Sequence, residues 1–220
     1  MKTFRNILAG VIILLFMHSA FTQAPAPKIR VITLQSQGKD TSSKLLGESA
    51  EVISARLTCM SLSDFSITKN EAKSALIITV KDTINTRLLR EILTAPGKLN
   101  FYENAGRGDS LVPIFNKKST HAIILEAHAD FSDKKHPALC ITFRENLWDT
   151  FKHATARNID KPVTLIIDGK VYASPRVNSE IAGGKITLTG GGFSKTEVRK
   201  LVALSSNGEL PLQFIIASVK

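Results

Sequence analysis

Three side chains that could bind a metal ion lie on one face of a predicted strand. In the segment HAIILEAHAD (121–130), Glu126, His128 and Asp130 are spaced two residues apart, and alternate residues of a strand share a face. Carboxylates and imidazoles of this kind bind zinc and serve metal-dependent hydrolases. Neighbours two apart on a strand stand side by side, about 7 Å apart, and do not converge on one point. We therefore favour a solvated face opposite a core face that includes Leu125, and keep a small-ligand or metal-binding protein, or a hydrolase, as the alternative.

An acidic residue also interrupts the apolar run TLIIDGKVYASP (164–175). Asp168 in a buried strand would be a candidate for acid–base chemistry, because burial changes the pKa of a carboxyl group. Two strand-like runs separated only by Asp168 and Gly169 are instead typical of a hairpin with a type I′ turn, in which both central residues have positive φ. The sequence therefore predicts an exposed turn here and no catalytic acid.

Three glycines precede the last predicted helix, in TGGGFSKTE (189–197). Glycine-rich loops before helices can bind phosphate, but the spacing GxxxxGK[ST] of a phosphate-binding loop is absent. Ser194 and Glu197 match a capping box, in which each side chain binds a free backbone N–H at the helix start. The segment, which includes Gly190, therefore predicts a structural bend rather than a phosphate site. A Gly-x-Ser-x-Gly motif is also absent, and we predict a protein that is not an enzyme and binds no cofactor or metal.

The elements around these residues predict an α+β fold. Residues 28–103 follow the order strand, helix, strand, strand, helix, strand, which is that of a ferredoxin-like βαββαβ unit. Each helix has one apolar face, so both should cover one side of a four-stranded antiparallel sheet whose last strand is KLNFYE (98–103). A second set of strands and helices follows. We predict a ferredoxin-like base lobe over 23–105 and a second α+β lobe over 106–220.

The N-terminus has the pattern of a cleavable signal peptide over residues 1–22. Lys2 and Arg5 precede an uncharged apolar run at 7–17, which is too short for a comfortable membrane span. We therefore predict an exported, periplasmic protein. An uncleaved N-terminal anchor is the less favoured alternative.

Composition limits the kinds of partner. The net charge is +10, and 43% of the residues are hydrophobic, as in an ordinary globular protein. Lys and Arg never occur more than two in a row and aromatic residues do not alternate with them, so nucleic acid is not a predicted partner and membrane association is at most peripheral. Cys59 and Cys140 both stand in apolar surroundings, which predicts two separate buried thiols rather than a disulfide.

The second half of the chain carries a long series of spaced residues that resembles a known family. The series begins with a helix, a strand, an Asp-Gly turn and a second strand that ends at a proline. It continues with a Gly-Gly pair, a strand, Gly-Phe-Ser, a helix and a Gly-x-Leu-Pro segment. The residues that carry the pattern are Phe151, Thr155, Asn158, Asp168, Gly169, Pro175, Gly184, Gly190, Gly208 and Pro211. Over 143–212 the chain resembles the first periplasmic domain of SecD, a membrane subunit that assists the Sec translocon. The first half resembles the same family more loosely, through Gly97, Leu99 and Phe101.

The resemblance implies both an architecture and a role. In SecD this region is a ferredoxin-like base with a head inserted into it, so the last strand, near 212–217, is able to return to the base. The family offers no catalytic residue here, and its transmembrane helices have no counterpart in this sequence. We therefore expect a stand-alone exported domain that binds polypeptide, a Sec translocase subunit or another envelope protein in connection with protein export.

Overall fold

The structure, a computed structural model, describes residues 29–38, 41–81, 84–106, 110–117, 119–190 and 192–220. The predicted signal peptide at 1–22 lies outside these residues. Across the described ranges, no helix combines the length and apolarity that a membrane span requires.

The chain forms eleven strands and four α-helices in the described ranges. In chain order they are β1 (Ile29–Gln37), α1 (Ser43–Cys59), β2 (Phe65–Asn70), β3 (Ala75–Lys81), α2 (Thr86–Thr94), β4 (Leu99–Asn104), β5 (Leu111–Pro113), β6 (Ile124–Asp130), β7 (Ala138–Phe143), α3 (Trp148–Arg157), β8 (Thr164–Ile167), β9 (Lys170–Ala173), β10 (Lys185–Leu188), α4 (Lys195–Ser206) and β11 (Gln213–Val219). We call the sheet β11–β1–β3–β2 with α1 and α2 the base, and the elements from β4 to α4 the head. The base sheet is antiparallel and has the strand order of a ferredoxin-like unit, so the predicted α+β class is confirmed.

The last strand of the base sheet is not the predicted one. β4, which contains the KLNFYE segment, pairs with β5 and β8 in a sheet of the head, while β11 pairs with β1. The physical reason lies in the side chains, since Leu99 and Phe101 of β4 are buried in the head core and Phe214 of β11 is buried in the base core. The chain therefore leaves the base after α2 and returns to it at β11. The domain boundary near residue 105 stays a prediction.

The base helices begin at capped ends and bury one apolar face. The side chain of Ser42 accepts a hydrogen bond from the backbone N–H three residues later, and Asn85 caps α2 in the same way. Leu46, Ile53 and Leu57 lie on one face of α1 and are fully buried against the sheet. Each such side chain contributes about 1.5–3 kcal/mol of burial free energy.

The head has two antiparallel sheets around an aromatic core. Their strand orders are β5–β4–β8–β9 and β10–β7–β6. The rings of Phe101, Phe115, Phe143 and Phe151 form one cluster, with centroids between 4.5 and 6.5 Å apart. Edge-to-face and offset pairs at such distances are favourable beyond simple area burial. The cluster thus fixes α3 against both sheets.

Helix α4 contributes side chains to both hydrophobic cores. Its Ala203 is buried in the base core, whereas the adjacent Leu204 is buried in the head core. Cys59, at the end of α1, packs against both cores. Neither core is complete without α4, so base and head share one helix.

The two cysteines are separate free thiols. The Cys59 Sγ lies 3.6 Å from the side-chain amide of Asn207, and Cys140 lies on β7. Each thiol is half-buried, so the prediction of full burial from apolar neighbours is wrong.

The two chain segments that connect base and head meet at a buried arginine. The backbone N–H of Leu210 donates to the carbonyl of Pro96, at 2.8 Å, and joins the outgoing segment to the returning one. Arg56 of α1 is 0% exposed, and its guanidinium donates to four carbonyls. They belong to Ile92 at 3.2 Å, Ala95 at 2.5 Å, Pro96 at 3.0 Å and Gly208 at 3.3 Å.

The surroundings of this guanidinium are specific. Burial lowers the pKa of Arg56 to about 10, and the negative charge of Asp168 offsets part of that effect. Gly97 has φ of 86°, and a Cβ at this position would lie 2.4 Å from Arg56 Nη2. The close approach of the backbone to the guanidinium therefore requires glycine.

Arg56→Met is expected to lower the free energy of unfolding by roughly 2–4 kcal/mol, because four buried carbonyls lose a charged donor. Equilibrium denaturation in urea measures the loss. The matched control is Arg90→Met, which removes an exposed arginine of α2 and should change stability by less than about 0.5 kcal/mol. Equal effects of the two substitutions would show that the buried guanidinium does not stabilise the junction.

Candidate functional site

The β8–β9 hairpin turns at Asp168 and Gly169, whose φ angles are 51° and 76°. Positive φ at both central residues is the conformation of a type I′ turn. The Asp168 carboxylate does more than turn the chain. It accepts hydrogen bonds from the backbone N–H of Gly97, at 2.9 and 3.0 Å, and of Lys98, at 2.8 Å. The acid thus ties the hairpin to the junction between base and head.

Phe151 and Thr155 hold α3 against the head core and against the loop that follows β9. Phe151 is 2% exposed and belongs to the aromatic cluster. The hydroxyl of Thr155 donates to the carbonyl of Phe151, at 3.0 Å, and accepts from the backbone N–H of Ile181, also at 3.0 Å. This fixes the position of the loop between β9 and β10.

Asn158 ends α3 and binds a buried carboxylate. Its side-chain amide donates to Glu103 on β4, which also accepts two hydrogen bonds from the guanidinium of Arg157, one of them at 2.8 Å. Burial alone would raise the pKa of Glu103, but the hydrogen bonds from Arg157 and Asn158 outweigh it, and the pKa is lowered. The ionised carboxylate therefore links α3 to the sheet.

Gly184 lies against the only tryptophan of the chain. Its φ is 61°, and a Cβ here would lie 2.1 Å from the indole ring of Trp148. The indole N–H donates to the carbonyl of Phe143 at 3.0 Å, which holds the ring in place. Only glycine allows the chain to enter β10 beside this ring.

The remaining residues of the sequence pattern lie at connections between elements. The carbonyl of Gly190 accepts from the N–H of Phe193 at 3.0 Å, and the carbonyl of Gly208 is one of the four acceptors at the buried guanidinium. Pro175 follows β9, and Pro211 is exposed just before β11. These positions shape loops rather than supply reactive groups.

A groove runs between β9 and the segment that leads from β10 to α4. Six consecutive residues, 170–175, line one side, and 188–190, 192–193 and Glu197 line the other. Because alternate side chains of a strand point to opposite faces, consecutive lining residues show that the groove meets β9 edge-on. The volume of this part is about 460 Å³.

The groove continues along β10 into the head core. Pro175 and Leu188 line both parts, and the second part holds about 290 Å³. All four residues of β10 line it, opposite 175–179, and Phe101 and Phe151 contribute to its lining. In the described chain β9 and β10 are each the last strand of their sheet. Two strand edges without a further partner strand therefore border one groove.

A polar cluster lies at the end of the groove nearest the base. The ring of Tyr172 lies 4.9 Å from Lys170 Nζ and 5.2 Å from Lys200 Nζ. The Lys200 side chain, 5% exposed, pairs with Glu197 at 2.8 Å and with Glu91 of α2 at 3.1 Å. Burial raises the pKa of Tyr172. Burial alone would lower the pKa of Lys200, but its hydrogen bonds to the two carboxylates outweigh this effect, and the pKa of Lys200 is raised. Both groups therefore keep their ordinary neutral-pH charge states.

The sequence patterns discussed above do not single out this groove. One local signal points towards it, since β9 is short, begins with Lys170 and is followed by Pro175. Charged ends and nearby proline are typical of edge strands. The second side of the groove has no such signal, because it depends on how two sheets are placed.

The three candidate metal ligands of β6 lie away from the groove, on exposed sheet surface. His128 Nδ1 lies 3.5 Å from a carboxylate oxygen of Glu126, and Asp130 accepts a hydrogen bond from the N–H of Ser132, at 2.8 Å. No cluster of three or more His, Cys, Asp or Glu side chains suited to a metal ion occurs in the part of the chain that the structure describes. A β-bulge between Ile124 and Glu126 leaves Leu125 56% exposed, so its predicted place in the core is wrong.

Comparison with known proteins agrees with this architecture. Residues 109–212 match the family model described as SecDF, P1 head subdomain. Protein translocase subunit SecD of Acidaminococcus fermentans is 24% identical over 168 residues, which are 76% of this chain and 38% of that protein. The head of this chain thus matches the SecDF family, and the chain as a whole is similar to SecD and SecDF proteins. This confirms the resemblance found in the sequence.

Other SecD/SecDF relatives extend the match over the base. Protein translocase subunit SecDF of Thermus thermophilus is 25% identical over 190 residues, 85% of this chain and 23% of that protein. The chain spans less than half the length of these curated relatives. A solved structure of SecDF, described as a membrane component that enhances protein export, has a TM-score of 0.62 and 17% identity, and the match covers 86% of this chain and 99% of that one. The SecDF structure in a super-membrane-facing form has a TM-score of 0.65 and 16% identity, over 88% of this chain and 30% of that one. These structures share the fold.

Gly184→Ala is expected to lower the free energy of unfolding by roughly 2–3 kcal/mol, because the methyl group would overlap Trp148 and the positive φ disfavours it. Fluorescence of Trp148 during denaturation reports the change directly. Gly183→Ala is the matched control, since no atom lies within 4 Å of an added Cβ there, and it should remain near wild-type stability. Equal losses in both variants would contradict the packing argument.

Glu103→Gln should lower the free energy of unfolding by roughly 1 kcal/mol at neutral pH, because the charged hydrogen bonds from Asn158 and from the half-exposed Arg157 are weakened. The pKa of Glu103 is lower in the folded protein than its ordinary value of 4.5. Its stabilising effect is therefore complete above pH 4.5 and is lost as the pH falls through the folded pKa. Urea denaturation across an acid pH series should show the wild-type advantage shrinking below 4.5. The matched control is Glu51→Gln, which changes an exposed glutamate. If the stability difference between wild type and Glu103→Gln did not depend on pH, or equalled the difference for Glu51→Gln, the ionised Glu103 would not stabilise the fold.

Proposed function

We propose that this SecD-like chain is a non-catalytic, exported domain that binds extended polypeptide in connection with protein export. The observation that carries the proposal is the groove lined first by β9 and then by β10, each the last strand of its sheet in the described chain. The bound chain is a translocating polypeptide or an extended segment of a Sec translocase or other envelope protein. Similarity to protein translocase subunits supports a role in transport.

Strand edges give a physical means of binding a chain without regard to most of its sequence. An extended peptide can add to an exposed edge through backbone hydrogen bonds, while pockets beside the edge receive alternate side chains. The groove runs along all four residues of β9, about 13 Å at the rise of a strand, and continues past 174 and 175. Ile181, Ile186 and Phe193, which are only partly buried, provide apolar surface along the groove.

Among the described residues, no contact supports the alternative of a metal-binding protein or hydrolase. Glu126, His128 and Asp130 lie on an exposed strand face, and the nearest partners of Glu126 and Asp130 are local. Carboxylates that bind a catalytic metal would instead converge with other ligands on one point. The proposal therefore assigns these residues to the solvated surface.

The proposal predicts position-specific photo-crosslinking during export. A photoreactive side chain at Val171, which lines the groove and is 54% exposed, should capture translocating chains or Sec subunits. The same group at Leu125, on β6 and 56% exposed, is the matched control and should capture several-fold less. Mass spectrometry of the adducts identifies what is bound.

Equal capture at the two positions would place binding outside the groove. Capture of neither translocating chains nor Sec or envelope proteins from Val171 would overturn the proposed function.

A further inference from the structure

The charges along the groove select a particular kind of segment, an inference that rests on the function proposed above. Three cationic residues line it, Lys170 in the part beside β9 and Arg176 and Lys185 in the part beside β10. Glu197 is the acidic residue among the described lining residues of both parts. Lys170 and Lys185 begin β9 and β10 and lie away from Pro175 and Leu188, which line both parts, so the lining is basic towards both ends. Arg176, which follows Pro175, adds positive charge nearer the middle.

The two lysines are available to a bound chain. All three cations are exposed. Within the described residues, neither Lys170 nor Lys185 has a carboxylate within ion-pair distance. Arg176 pairs with Asp160 at 3.7 Å, but both side chains are more than two-thirds exposed, and such pairs contribute little. A guest carboxylate would thus meet unpaired ammonium groups.

Glu197, the acidic lining residue, does not prevent the binding of a guest carboxylate. Glu197 is held by Lys200 at 2.8 Å, and Lys200 is nearly buried and also bound to Glu91. Arg87 also pairs with Glu91, at 3.5 Å, so two cations face the two carboxylates of this cluster. The Lys170 ammonium lies over the ring of Tyr172, which positions it beside the edge of β9.

We propose that the groove prefers an extended segment in which alternating apolar residues are flanked at both ends by aspartate or glutamate. The segment adds as a strand alongside β9 and β10. Its apolar side chains contact Tyr172, Phe193 and Ile186, and its terminal carboxylates face Lys170 and Lys185.

A guest chain in this position would lie beside two strands in turn. β9 ends one four-stranded sheet and β10 ends the three-stranded one. β9 lines the first part of the groove and β10 the second, so a guest that fills the groove borders both sheets. Bound chain should therefore protect backbone amides along both parts of the groove at once.

Fluorescence anisotropy with two labelled peptides tests the preference. Both peptides alternate Val and Thr, and they carry either Glu or Lys at each end. The intact chain should bind the Glu-ended peptide more tightly at physiological salt. The double variant Lys170→Glu/Lys185→Glu should weaken that binding about tenfold and reverse the preference, because two attractive contacts become repulsive.

A variant of equal net charge separates the groove from the general basic character of the protein. Lys44→Glu/Lys134→Glu changes two exposed lysines outside the groove lining and should leave the preference intact. Thermal unfolding checks that both double variants remain folded. Equal weakening by the two double variants would overturn the charge preference.

The outcome also distinguishes this inference from the function on which it rests. If Val171 captures translocating chains but both peptides bind alike, the groove binds polypeptide without charge selection and the inference is wrong. If Val171 captures nothing and neither peptide binds, both proposals are wrong. Hydrogen exchange protection confined to β9 would overturn binding along both parts of the groove.

Discussion

Four backbone carbonyls converge on one buried guanidinium where the head joins the base. Three come from the end of α2 and the residues after it, and one comes from the residues after α4. Placing an arginine in this environment costs desolvation, which its lowered pKa reflects. Arg56 therefore stabilises the junction only because the carbonyls are aimed at it. That requirement in turn demands a glycine at 97, where any side chain would meet the guanidinium.

The groove depends on the same junction through the β8–β9 hairpin. Asp168 binds the N–H groups of Gly97 and Lys98, so the outgoing segment holds the hairpin whose second strand borders the groove. On the other side, Lys200 of α4 pairs with Glu91 of α2 and thereby fixes the helix that follows the glycine-rich bend. Both borders of the groove are thus positioned by contacts with the base or the residues that leave it.

Local sequence patterns were sufficient for the class of fold and most elements. The helical stripe of Leu46, Ile53 and Leu57 and the Asp168-Gly169 turn are determined by neighbours a few residues apart. Sheet membership is not, because the strands at 98–103 and 212–217 have similar apolar alternation and differ only in which core they enter. The exposure of Leu125 depends on a β-bulge that shifts the strand register, and no residue pattern in this segment predicts the bulge. The role of Arg56 could not be predicted from local sequence, because its acceptors are distant in the chain and one of them lies 152 positions away.

The pairing of β11 with β1 has a consequence for folding during synthesis. The base sheet takes its first described strand from residues 29–37 and its fourth from residues 213–219, with the whole head in between. Contacts of such long sequence separation slow folding, because the intervening chain must be closed into a loop first. While the chain is delivered from its N-terminus, the edge of β1 that pairs with β11 stays open until residues 213–219 arrive. The base therefore cannot finish folding before the whole head has been delivered, although its first described strand precedes the head.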